Sequence, residues 1–83
     1  MRPTFPHTRE DVTRAVDGPF GLVVGDVPDG RIFVLKRARK PAPDGTAWTL
    51  TEWADPARSR QLAEQRFTER AAALAAMYAA VGL

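Results

Sequence analysis

The stretch that decides the fold is residues 55–83, DPARSRQLAEQRFTERAAALAAMYAAVGL. Asp55 is a favoured helix N-cap because its carboxylate accepts hydrogen bonds from the first turn. Proline at the first helical position, here Pro56, loses no intrahelical bond. No further proline and no glycine follows until Gly82, a typical C-terminal stop. Most residues between are strong helix formers, so the sequence predicts one long helix over residues 56–81.

The second half of this predicted helix carries no charge between residues 71 and 81. A helix that is apolar on every side is expected to be buried on more than one side, and this run is too short to span a membrane, which takes about 20 residues. We therefore predict that one face meets the sheet and the opposite face meets a protein partner or a second copy. The alternative is that the alanines are helix formers exposed to solvent. The predicted partner face consists of Ala72, Ala76, Ala79 and Ala80.

The upstream residues predict one short helix and three strands. Thr8 and Asp11 have the spacing of a capping box, which predicts a helix over residues 9–17 that ends at Gly18-Pro19. Runs rich in β-branched and aromatic residues, separated by Pro-Asp-Gly turns, predict antiparallel strands. The predicted strands are residues 20–27, 31–37 and 46–53, after an irregular lead-in at residues 1–7.

These elements predict a single α+β domain of 83 residues. It comprises a short N-terminal helix, a three-stranded antiparallel β-meander and a long C-terminal helix packed on one face of the sheet. This order of three antiparallel strands followed by a helix is similar to the small arm-binding domains of phage-type integrases. Those domains insert their sheet into the DNA major groove. The similarity lies in the order of the elements, and no motif carries residue roles over to this chain.

The residue types argue against catalysis. The chain has no Cys, one His, which is His7 in the lead-in, and one Ser, which is Ser59. A Ser-His-Asp arrangement, a Cys-type metal site and a Gly-rich phosphate loop are therefore not expected. We predict a protein that is not an enzyme and has no cofactor, metal or small-molecule substrate. The absence of Cys fits a reducing cytoplasm, and the many Ala and Arg residues suggest a GC-rich bacterial or phage genome.

Positive charge is concentrated in residues 31–40, which contain five Lys or Arg side chains and no acid. Cations clustered at a strand end and loop suit contacts with phosphate oxygens, and they also suit an acidic protein surface. The alternative is a solvated loop. The six candidate contact residues are Lys36, Arg37, Arg39, Lys40, Arg58 and Arg60.

Strand alternation places Trp48 and Leu50 on one face of the third strand and Trp53 on the other. Tryptophan is enriched among the residues that dominate binding energy in protein interfaces, so Trp53 joins the predicted partner surface. The alternative is that Trp53 folds under the N-terminal end of the long helix. The preferred hypothesis is a small protein-interaction or regulatory module that self-associates through the Ala-rich helix. The second hypothesis is a nucleic-acid-binding regulator that uses the basic residues. Neither hypothesis involves a membrane.

Overall fold

The computed structural model describes residues 8–19, 21–27, 30–40 and 42–83. These residues form a four-stranded antiparallel sheet in the order β1-β2-β3-β4, together with two helices. The α+β class predicted from the sequence is therefore confirmed. The predicted lead-in at residues 1–7, the strand start at Phe20 and part of the first turn, Pro28-Asp29, lie outside the described residues. The elements are α1 (Arg9–Asp17), β1 (Leu22–Asp26), β2 (Ile32–Arg37), β3 (Trp48–Trp53), β4 (Gln61–Phe67) and α2 (Arg70–Val81).

The predicted helix over residues 56–81 is wrong in its first half, and the predicted count of three strands is wrong with it. Within this predicted span, residues 61–67 form β4, which pairs antiparallel with β3, and the helix is limited to residues 70–81. The α1 boundaries match the predicted 9–17. Strands β1, β2 and β3 lie within the three predicted ranges and are shorter by one to three residues. Differences of this size are usual at the ends of helices and strands.

The first reason for this difference is the turn chemistry of the β3–β4 loop. Asp55 does not cap a helix, because its carboxylate accepts hydrogen bonds from the Ser59 N–H (3.3 Å) and hydroxyl (2.6 Å). Arg58 adopts a left-handed conformation with φ 55°, which no α-helix interior allows. The Ala54 N–H then donates to the Arg60 carbonyl at 3.0 Å and closes the loop.

The second reason is that the hydrogen bonds between β3 and β4 contribute more than the helix propensity of residues 61–67. The difference between helix formers and other residues is only a few tenths of a kcal/mol per residue. A continuous helix would leave the backbone groups of β3 that now bond β4 without those partners. The β4 strand also brings Phe67 beside Trp48, where both pack against the core. Helix propensity does not include such contacts between residues that are distant in the sequence.

The first helix forms as its sequence predicts. The Asp11 N–H donates to the Thr8 hydroxyl and the Thr8 N–H donates to the Asp11 carboxylate, each at 3.1 Å. This reciprocal pair is the capping box. Gly18 caps the C-terminus through a bond from its N–H to the Ala15 carbonyl. The helix buries Val12 and Val16 completely.

Both helices pack on one face of the sheet. The strands contribute alternate residues to this side, as a half-buried antiparallel sheet requires. Trp48 packs against the cluster and Leu50 belongs to it, which agrees with the predicted alternation. The core cluster consists of Val12, Val16, Val23, Phe33, Leu35, Leu50, Ala73, Leu74 and Met77.

Helix α2 ends where the sequence predicts. Gly82 has φ 77° and its N–H bonds to the Tyr78 carbonyl, a left-handed cap that glycine adopts without strain. The two helices are linked by a 3.0 Å hydrogen bond between the hydroxyls of Thr13 and Tyr78. The guanidinium of Arg9 lies 5.0 Å from the Tyr78 ring centroid. Tyr78 therefore fastens α2 to α1.

Candidate protein-interaction site

Strand β4 lies at one edge of the sheet. The side to which its backbone N–H and C=O groups point follows from the hydrogen bonds at the two ends of β3. The Ala54 N–H donates to Arg60 on the β4 side, whereas the Ala47 carbonyl accepts from Ala38 on the β2 side. Successive residues of a strand direct their backbone hydrogen bonds alternately to the two neighbouring strands. The backbone groups of Leu50 and Glu52 therefore bond to β4. Their Cα partners are Gln65 and Ala63, and these two residues bond inward.

It follows that Glu64 and Arg66, which lie opposite Thr51 and Thr49, direct their backbone N–H and C=O groups away from β3. No described strand lies on that side of β4. Outward backbone groups at a sheet edge are a template for pairing with another chain. We call this feature, from Gln61 to Phe67, the β4 edge.

The side chains of the β4 edge are also accessible. Six of its seven residues are exposed, and only Phe67 is half-buried. The Arg66 Nε donates to the Glu64 carboxylate at 2.9 Å, and Asp44 lies 3.9 Å from the same guanidinium. The pKa of Arg66 is raised above its ordinary value, first by the hydrogen bond to Glu64 and then by the negative charges of Glu64 and Asp44. Exposed pairs of this kind contribute little to stability, so exchanging them for contacts with another chain would cost the fold little.

The face of the sheet opposite the helices carries Trp53. Its indole Nε1 donates to the Thr51 hydroxyl at 2.9 Å, and the ring is half-buried. Ile32 and Val34 share this face but are already buried, at 3% and 6% exposure. Leu62, which is 42% exposed, occupies a bulge beside Trp53. The cross-strand rows on this face are Leu22, Lys36, Thr49 and Arg66; Val24, Val34, Thr51 and Glu64; and Asp26, Ile32, Trp53 and Gln61.

The structure divides the four alanines of the predicted partner face. Ala72 and Ala79 are exposed, whereas Ala76 and Ala80 are partly buried against the core. Their spacing places the four alanines on one side of α2, and the fully exposed part of that side is limited to Ala72 and Ala79.

The six basic residues also separate. Lys36, Arg39 and Lys40 are exposed near the end of β2, and Arg37 is half-buried with its guanidinium donating to the Gly18 carbonyl at 3.2 Å. Arg58 and Arg60 lie in the β3–β4 loop at the other end of the sheet, a strand length of about 17 Å away at ~3.3 Å per residue. The separation reduces the support for one continuous phosphate-binding surface. The exposed members of the group are Lys36, Arg39, Lys40, Arg58 and Arg60.

The clearest electrostatic link joins the two helices. Arg70, at the start of α2, binds both carboxylate oxygens of Asp17, at the end of α1. This hydrogen bond is the main cause that lowers the pKa of Asp17, helped by the positive charges of Arg70 and Arg37 and opposed by burial. The pair orients the helices and lies apart from the β4 edge.

Stability is expected to fall in acid through this link. The pKa of Asp17 is below its ordinary value of 3.8 in the folded protein, so the unfolded chain binds more protons there. The contribution is present above pH 3.8 and is lost as the pH falls through the folded pKa. We expect Asp17→Asn to flatten the fall of the urea midpoint between neutral and acidic pH. Parallel curves for the two proteins would contradict this assignment.

No three His, Cys, Asp or Glu side chains within the described ranges come together as a metal-binding group. In those same ranges, neither helix has the length and apolar character needed to cross a membrane. Comparisons with known proteins find no matching family model, no matching curated protein and no matching solved structure. The similarity in element order to integrase arm-binding domains depended on a three-stranded sheet, and the fourth strand removes that basis.

The β4 edge was not among the residues that the sequence singled out. Its residues do not alternate apolar with polar, so they lack the usual signal of a half-buried strand. Two local hints were present, the Asp55-Pro56 pair, which also initiates turns, and Phe67, an aromatic residue in a charged run. Neither hint outweighs the helix formers between them.

Proposed function

We propose that this chain is a small non-enzymatic protein-interaction module that binds an extended segment of a partner at the β4 edge. The observation that supports this most directly is the outward direction of the backbone groups of Glu64 and Arg66. Main-chain hydrogen bonds supply much of the affinity when a strand adds to a sheet edge, and side-chain pockets supply the specificity. Leu62, which is 42% exposed, and the half-buried Trp53 supply apolar surface next to this edge.

The proposal replaces the Ala-rich helix face with the β4 edge as the main surface, because two of the four alanines are packed inward. Trp53 keeps the role predicted for it, on the face that the helices leave uncovered. The charges at the β4 edge fit a polar rim around a small apolar centre, which is the usual composition of an interface. We include in this proposal a regulatory role that is exerted through the bound protein.

Selection of random peptides displayed on phage against the intact chain tests the proposal. We expect extended peptides that bind the wild type and lose binding to Arg66→Pro, because proline removes an outward N–H without removing a bond to β3. Lys36→Ala is the matched control, since it alters the basic group and leaves the β4 edge intact. Peptides that lose binding to Lys36→Ala and keep it to Arg66→Pro would contradict the proposal.

A further inference from the structure

We propose that the partner at the β4 edge is a second copy of this chain. Two sheets would join β4 to β4 in antiparallel orientation, forming a continuous sheet of twice the four strands seen here. The inference rests on the proposed function, because it names the partner for that same edge. A closed two-fold arrangement is the commonest symmetry of protein oligomers and places the same patch on both sides of the interface.

The backbone restricts the register of this pairing. Hydrogen-bonded pairs across two antiparallel edges need residues that point outward in both chains, and these are Glu64 and Arg66. Three registers satisfy this: Glu64 opposite Glu64 of the second copy, Arg66 opposite Arg66, or Glu64 opposite Arg66. Like charges directly opposite each other are destabilising, and opposite charges contribute favourably. Only the third register pairs opposite charges, and the symmetry makes that contact twice.

This register sets the remaining contacts. The two-fold axis passes through Gln65, which faces its own copy, and Ala63 lies opposite Phe67 of the second copy. A small residue opposite a large one avoids a clash beside Phe67, which is half-buried. Because the axis is perpendicular to the sheet, the helices of both copies stay on the same side.

The other sheet edge, β1, lacks this complementarity. The Arg37 N–H donates to Gly21 and the Val27 N–H donates to Arg31, so residues 22, 24 and 26 of β1 point outward. Of these only Asp26 is charged, and pairing β1 with itself offers it no cation. The charge pattern therefore favours β4 as the edge that self-associates.

A single-cysteine variant, Gln65→Cys, tests the register directly because the natural chain has no Cys. Residues on the axis form a non-hydrogen-bonded pair with Cα atoms about 4.5 Å apart, within the span of a disulfide. We expect mild oxidation to convert most of Gln65→Cys to a covalent dimer. Ala72→Cys, on the exposed side of α2, is the control and is expected to stay largely monomeric. Cross-linking of Ala72→Cys without cross-linking of Gln65→Cys would overturn the proposal.

Charge reversal supplies the second readout, measured as the dimer dissociation constant by sedimentation. Glu64→Arg or Arg66→Glu alone places like charges opposite each other at two symmetric positions, so we expect about tenfold weaker association. The double reversal Glu64→Arg/Arg66→Glu restores the opposite charges at both positions, and it is expected to recover most of the lost affinity between the two copies. No recovery would contradict the register. Peptides that bind the β4 edge of a chain showing no self-association would uphold the proposed function and overturn the second copy.

Discussion

Replacing Leu35 with alanine is expected to lower the free energy of unfolding by about 2–5 kcal/mol, the range measured for buried leucines. Leu35 lies in the middle of β2 with 0% exposure and belongs to the cluster completed by both helices. Its truncation loses buried apolar area and leaves a cavity that a sheet residue with fixed neighbours cannot close. Small domains have total stabilities of about 5–15 kcal/mol, so this single change removes a large fraction.

Leu22→Ala is the matched control, because it makes the same chemical change on β1 at a side chain that is 37% exposed. Surface substitutions of this kind usually stay within about 0.5 kcal/mol. Urea unfolding followed by tryptophan fluorescence gives both values. Equal losses for Leu35→Ala and Leu22→Ala would mean that the core is not where the structure places it.

The second large effect is expected at Gly25, where β1 meets the end of α2. A Cβ added there would lie 2.7 Å from the Val81 Cγ1 and 3.0 Å from the Met77 Cε. The methionine end can shift, whereas the branched valine on a helix has one preferred rotamer. We expect Gly25→Ala to destabilise the protein by about 1–3 kcal/mol, the usual effect of overpacking.

A double-mutant cycle separates this clash from other consequences of the substitution. Val81→Ala removes the Cγ1 atom, and the Val81 Cβ would then lie 3.6 Å from the new Cβ, an ordinary contact. The double variant Gly25→Ala/Val81→Ala is therefore expected to lose less stability than the sum of the single variants. Strict additivity would contradict the close approach of α2 to β1.

Local signals in the sequence predicted the parts of the fold that local chemistry determines. The Thr8–Asp11 capping box marks the start of α1, Gly82 marks the end of α2, and Pro-Asp-Gly separates predicted strands. Each of these depends on hydrogen bonds or backbone angles within a few residues. The alternation of Trp48 and Leu50 against Trp53 likewise predicted which of these residues share a face of the third strand.

The fourth strand could not be predicted in this way, because its residues favour a helix when taken alone. Gln61, Leu62 and Ala63 are good helix formers, and their strand conformation depends on β3, which supplies the hydrogen bonds, and on the loop at Asp55. The predicted partner surface on α2 came from the same reading of residues 56–81 as one helix, and it stays a prediction. In the folded chain, Ala76 and Ala80 of the shorter helix pack against the core cluster and are partly buried.

The measurement that tests the β4 edge most directly is amide hydrogen exchange of residues 63–66, recorded by NMR at low and high protein concentration. We predict that the Gln65 amide is protected at both concentrations because it bonds to β3. The amides of Glu64 and Arg66 should exchange rapidly at low concentration and slowly at high concentration, when the second copy pairs with them. Uniform protection of all four amides at both concentrations, as in a continuous helix, would contradict this account.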